Sequence, residues 1–279
     1  MCNFLSALVT RQGELLCNPF LNSHEDLIDY FKVNDKTLSE NFVRIEYRPR
    51  FSLKKQEGEN ALNYFDIDKY VLKVDETNIP EWFLEYKPRI IEELQQKLSN
   101  MIIDEVVDKP LCNGVYMVRN SHISWIRYAK IITLEDSKVD SLGLNSIVER
   151  MSGHSKICRI SDNGAVGVMR DQSHVEILRH SAHIEVMTDQ STVSYLKDFS
   201  TINRLCDKSK VLIAANHSII EVVRDLATVS KLNDYAKVVS FFPGAEVSKI
   251  GERCSITYPP TTRLTTKVAE EIKDVSEYL

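Results

Sequence analysis

The sequence predicts an α+β N-terminal domain followed by a parallel β-solenoid of nonapeptide repeats, with about 18 residues per coil and a C-terminal capping helix. Three observations carry this. From Val139 to Ile256, stepping by nine, all fourteen positions are valine or isoleucine. Two residues before each stands a small residue, as in Ser137, Ser173, Ala182 and Ser191. Three residues after each runs a second apolar row: Leu142, Met151, Ile160, Met169, Leu178, Met187, Leu196 and onward.

A small-x-aliphatic triplet points its two ends to one side, as a short strand requires. Nine residues cannot bury a core alone, whereas stacked units cover each other's apolar rows. Methionine recurs at every second repeat in the second row, and identical residues stack when they are one coil apart. The repeat therefore predicts two nonapeptides per coil, six to seven coils, and a rod roughly 30 Å long at about 4.8 Å per coil.

The predicted boundaries are 1–130 for the α+β domain, 131–258 for the solenoid and 259–279 for the cap. In the first, "FLSALVTRQGELLCNPF" is a hairpin about Gly13. Ser23 caps a short helix over "SHEDLIDYF", with Asp26 three residues on. "NFVRIEYRP" and "YVLKVDE" alternate as strands on either side of the polar stretch "SLKKQEGEN". Pro88 is expected to open a helix through Val107, with Ile91, Leu94, Leu98 and Met101 on one face. "GVYMVRNSHISWIRY" reads as a second hairpin. At the far end "FFPGA" and "YPPTT" interrupt the repeat, and a helix from Thr265 or Thr266 carries Val268, Ile272, Val275 and Leu279 on one stripe.

Composition narrows the function. Net charge is −5; residues 1–136 hold 17 basic against 22 acidic side chains, and residues 137–256 hold 15 against 14. Neither part is the basic surface that nonspecific nucleic-acid binding needs. The sequence has no long apolar run, no secretory leader and no paired cysteines, so it predicts a reduced, cytoplasmic protein without membrane contact or disulfide framework.

Several patterns suggest chemistry, and each has a plainer reading. Cys2 would become an N-terminal nucleophile after methionine removal, but "CNFLSALV" reads as a core strand. His24, Glu25 and Asp26 offer a base and carboxylates, expected here as solvated charges at a helix start. His174, His180 and His183 cluster in sequence, yet the repeat sends them to different sides of the coil, so no metal site is predicted. Asp162, Asp171, Asp189, Asp198, Asp207, Asp225 and Asp234 sit five residues after the repeat valine or isoleucine. Calcium-binding nonapeptides need glycine doublets there, and this chain lacks them. Each Asp is expected to turn a corner by accepting an N–H bond two residues on. No cofactor is predicted, and no motif names a catalytic residue.

Outward positions two after each repeat valine or isoleucine are apolar mid-rod. At two repeats per coil they form the stripes Ile177–Tyr195–Ile213 and Val168–Val186–Val222, either a contact surface or side chains half-buried at a corner.

The segments "SALVTRQGELLCNPFLNSHEDLIDYF", "FVRIEY" and "DETNIPEWF", with repeats such as "QSHVEILRHSAHIEVM", resemble an uncharacterised phage and mobile-element family that joins such a domain to S-S-x-V-x-x-M-like repeats. The repeats here lack the uniform Ser-Ser-Gln-Val wording. The resemblance implies a mobile-element protein acting inside a bacterial host cell. Two functions then compete. One is a non-enzymatic binding protein, for example an anti-CRISPR inhibitor of a defence system, with a host protein or ribonucleoprotein as partner or a homodimer through the same stripes. The other is an enzyme with its site in the N-terminal domain and the solenoid as a dimerisation or targeting arm.

The missing glycine doublets carry a test. A calcium chelator is expected to leave the melting temperature unchanged, and a large drop in a thermal scan would restore the calcium-roll reading.

Overall fold

A computed structural model describes residues 5–21, 23–33, 41–50 and 64–259. The chain divides into two compact units, residues 1–104 with 114–118, and residues 105–113 with 119–279. The first is α+β; a parallel β-solenoid of about nine turns occupies residues 102–256.

The first unit is built on an antiparallel sheet. β1 (Leu5–Thr10) turns at Gly13 into β2 (Leu15–Leu16), as expected. Gly13 is held at φ +78°, and a Cβ there would lie 2.6 Å from the Tyr86 ring, so only glycine fits the turn. Ser23 caps α1 (His24–Phe31), its hydroxyl accepting the Asp26 N–H. β3 (Phe42–Pro49) and β4 (Tyr70–Val74) complete the order β2-β1-β3-β4. Leu8, Leu27, Ile28 and Phe42 form a core cluster in this unit. The polar stretch between β3 and β4 lies outside the described residues, as do Cys2 and the expected C-terminal helix.

Two expectations here are corrected. α2 runs Glu81–Met101, so Pro88 lies inside the helix instead of opening it. Proline lacks an N–H but keeps a helical φ, and the i, i+3/4 row Phe83, Ile90, Leu94, Leu98 and Met101 is buried and holds the helix across it. Ile90, not Ile91, faces the core. The predicted hairpin over 114–128 is not formed, because Val115–Arg119 and His122–Arg127 lie in different sheets. His122–Arg127 pairs in parallel with Lys109–Cys112, Lys138–Val139 and Leu142–Gly143, as a solenoid strand.

From Ile147 to Ser255 strands begin at every ninth position and alternate between two parallel sheets. Among these strands partners are one 18-residue coil apart: Val148 with Val166, Val175 with Val193, Leu178 with Leu196. The expected coil size is therefore observed. The repeat valines and isoleucines from Val139 to Val238 are fully buried, as is the second apolar row from Leu142 to Leu232. The five-residue strands such as His174–Leu178 bury their second and fifth residues. "FFPGA" does not stop the winding: Glu246–Val247 and Ser255–Ile256 still pair with the preceding coils.

The small row is small because it sits inside the coil wall, and several of its serines satisfy carbonyls at the corner. Ser200 Oγ donates to the carbonyls of Lys197 at 2.5 Å and Leu178 at 3.2 Å, and Ser209 Oγ to Cys206 at 2.6 Å. Among the described residues no helix is long and apolar enough to cross a membrane.

Val175→Asp or Val193→Asp would place an unpaired carboxylate between fully covered coils. The expected loss is about 4 kcal/mol or more. Urea unfolding measures it, and an unchanged midpoint would show the register to be wrong.

Candidate functional site

The corners between strands position the exposed side chains. From Leu144 to Asp234 the residue five after each repeat valine or isoleucine has left-handed backbone, for example Asp171 at φ 58°, His180 at 57°, Asp189 at 56°, Asp198 at 59° and Asn216 at 60°. Asp, Asn and His tolerate this conformation better than β-branched residues. The corner is then closed by the next coil. The Asp171 N–H donates to the Asp189 carboxylate at 3.2 Å, His180 N–H to Asp198 at 3.3 Å, and Asn216 N–H to Asp234 at 3.4 Å. This corrects the expected local bond two residues on. The carboxylates accept across coils, where the corner N–H would otherwise be unpaired.

These bonds tune the acids. The His180 side chain, 3.0 Å from Asp162, and the Ser161 hydroxyl hold Asp162 below the usual carboxylate range. Burial pushes Asp198 up, but the Asn216 amide at 2.9 Å and the His180 N–H outweigh it, so it too lies below its usual value. The Thr188 hydroxyl and the Asp189 N–H do the same for Asp207.

One residue further on, the corner after each Ile177–Tyr195-type strand carries an outward column, one residue per coil: Asn145, Asn163, Ser181, Phe199, His217, Tyr235, Arg253. Asn163 donates to Asn145 at 3.3 Å. Phe199 stacks on His217 at 5.3 Å and 20°, and His217 on Tyr235 at 5.1 Å and 8°. Arg253 closes the stack, 5.5 Å above the Tyr235 ring and donating to its hydroxyl at 2.9 Å. A groove of about 610 Å³ follows this column, lined by His180, Ser181 and Asp198 beside the three rings. Carboxylates, an amide and exposed rings suit a ligand that brings hydrogen-bond donors or positive charge.

The predicted stripes fare differently. Ile177, Tyr195 and Ile213 are direct rung-to-rung partners, with Arg159 before them and Lys231 after. Val168 pairs with Val186, but Arg204 stands between Val186 and Val222, so the second stripe is interrupted. The coil length dictates this, since residue 204 is the one that follows 186 on the next coil. All six lie within strands and not at corners. Tyr195 is 39% exposed and the other five are half-buried. The Lys197 ammonium sits 4.8 Å over the Tyr195 ring.

The three sequence-clustered histidines diverge as expected. His174 and His183 lie in different sheets, with His180 at a corner. His183 contacts Thr201 at 2.7 Å and Glu185 at 3.2 Å. His24 is a correction: it is 6% exposed, and its Nε2 lies 3.0 Å from the Ile45 carbonyl, so it ties α1 to β3 instead of facing solvent. A cluster missed from sequence joins His122 to Asp108 at 2.8 Å and Asp140 at 2.9 Å, with Lys138 on Asp140 at 2.8 Å. Burial pushes the Cys17 thiol up to about 11 and raises Cys158 and Cys254, so these remain protonated, poor nucleophiles at neutral pH.

The aromatic column was also missed. Its signal, residues 199, 217, 235 and 253 at the coil period, is visible only once positions six after the repeat valine or isoleucine are read as one line. Comparison with family models, curated proteins and solved structures gave no match.

The depressed acids fix the sign of the pH dependence. Asp162, Asp198 and Asp207 favour the fold above their unfolded values, about 3.9. That contribution is lost as pH falls through their lower folded values. The melting temperature is expected to fall as pH drops below about 4, and Asp198→Asn should flatten that low-pH limb.

Proposed function

We propose that the protein is a non-enzymatic binding protein whose contact surface is the solenoid. The observation that carries this is the unbroken column Ile177–Tyr195–Ile213, apolar and in register, with basic rungs at both ends. A rigid sheet presents such a column without ordering cost on binding. Tyr195 is its anchor: an amphipathic ring, partly exposed, at the middle rung. The interrupted Val168–Val186–Val222 line is a lesser contributor, since Arg204 would need a partner of its own.

The resemblance to mobile-element proteins supports the biological setting. In that reading the protein acts inside a bacterial host against a defence protein or ribonucleoprotein, for example a CRISPR effector. In the N-terminal unit, the Ile45 carbonyl bond accounts for the His24 position and burial for the raised Cys17 thiol, which favours binding over an N-terminal enzyme.

Tyr195→Ala and Ile213→Ser are expected to leave the melting temperature nearly unchanged. Each should weaken capture of a stoichiometric host partner; for Tyr195→Ala the cost is about 2 kcal/mol, roughly thirtyfold in affinity. Wild-type expression in a host with an active CRISPR system should restore plaques by the targeted phage, and Tyr195→Ala should not. If sedimentation shows instead that these variants dissociate a homodimer, the column is a self-association surface. If neither capture nor oligomeric state changes, the column is not the contact.

A further inference from the structure

The aromatic column has two ends, and only one is closed. Each ring is covered by its neighbour one coil along: Phe199 by His217, His217 by Tyr235, Tyr235 by the Arg253 guanidinium. The remaining face of Phe199 looks toward the preceding rung, which is Ser181. A serine side chain is too short to cover a ring, and Phe199 is accordingly 67% exposed. The next rung back is Asn163, already donating to Asn145. The column thus has a gap one rung deep, floored by Ser181 and walled on one side by a flat, uncovered π face.

We propose that this gap docks an arginine side chain from a basic segment of a protein partner. The chain itself shows what its ring faces accept: besides Arg253 on Tyr235, Arg127 lies 4.8 Å over Trp125 and Lys197 4.8 Å over Tyr195. The surroundings select for positive charge. Asp162 and Asp198 occupy the two left-handed positions on either side of His180 along this corner, and both are held ionised by their hydrogen bonds. Asp234 lines the same groove further along. Arg179 and the His180 side chain act on both Asp162 and Asp198, and Arg253 closes the far end of the column, so the three carboxylates outnumber these two guanidiniums.

Arginine fits better than lysine for a geometric reason. A planar guanidinium lies flat on Phe199 while its edge N–H groups remain free for the Ser181 hydroxyl and the Asp198 carboxylate; an ammonium makes only a point contact. This rests on the reading of the solenoid as a binding surface and adds the partner's chemistry to it.

The test needs no partner. A blocked Gly-Arg-Gly peptide is titrated into the full chain while the ring signals of Phe199 and His217 are followed by NMR. Saturable upfield shifts of the guanidinium-side methylene protons are expected, with matched shifts of the Phe199 ring. The citrulline peptide, equal in shape but uncharged, should bind at least threefold more weakly. Phe199→Leu keeps the apolar volume without the π face and should weaken binding about threefold to thirtyfold. Ser181→Tyr should fill the gap and abolish binding, with the melting temperature of both variants near wild type because both sites are exposed. Equal binding of citrulline, no response to Phe199→Leu, or unaltered binding in Ser181→Tyr would each overturn the proposal. Because the peptide reports on the gap alone, a negative result leaves capture through Tyr195 standing, and a failed capture experiment leaves the arginine site standing.

Discussion

The structure depends on one constraint: each coil must return its backbone to the level of the next after a fixed length of chain. Only then do the N–H groups of one coil meet the carbonyls of its neighbour, along strands and round corners alike. The corners make this demanding, because a bend normally leaves N–H groups without partners. Here the left-handed residue resolves it from both sides. Its carbonyl accepts from the following coil, as Asp171 does from Gln190, while its own N–H reaches an aspartate there. A single inserted residue at a corner would break both bonds and turn the next strand's apolar row outward.

A fixed return also makes columns. Whatever stands at a position is followed one full coil later by a residue about one strand spacing away, so like charges would stack in register. The aspartate corner shows how that is tolerated. Asp162 receives His180, Asp198 receives the Asn216 amide and a backbone N–H, and Asp207 receives Thr188 and a backbone N–H. Each carboxylate keeps its charge but is held by donors of its own, which offsets the cost of stacking acids along the corner. The same geometry turns Phe199, His217 and Tyr235 into a near-parallel stack, an arrangement that isolated loops would need extra packing to hold.

How much of this the sequence discloses follows from the same constraint. Where the coil length is constant, rows line up in the sequence and the wall is legible: Val175 over Val193 and Met169 over Met187 are both readable and observed. Upstream the period fails. His122 pairs with Lys138 and Lys130 with Ile147, steps that fall short of the regular coil by two and by one. Those coils have the same hydrogen bonding but shorter corners, so their apolar residues fall out of phase and read as a hairpin. Pro88 misleads for a different reason. Its preference for a helix start is a local tendency of modest size, and the buried row from Phe83 to Met101 overrides it. His24 was illegible because its partner, the Ile45 carbonyl, comes from a strand 21 residues away.

The site was legible in proportion to its regularity. The Ile177–Tyr195–Ile213 stripe could be read because it shares the strand period, whereas the break at Arg204 required stepping coil by coil instead of selecting apolar residues. The aromatic column hid behind variety. Along one corner the side chains change from amide to hydroxyl to ring to guanidinium, so no single residue type repeats; only the backbone position does. That variety is informative in itself. Phe199 and Tyr235 stack on the two faces of His217, so the column offers amide, hydroxyl, ring and guanidinium in a fixed order. On the proposed binding reading, different chemistries at fixed steps on a rigid frame would give a partner a single register. A slip of one coil would carry a basic group from the open face of Phe199 to His217, whose two faces are already covered by its neighbours.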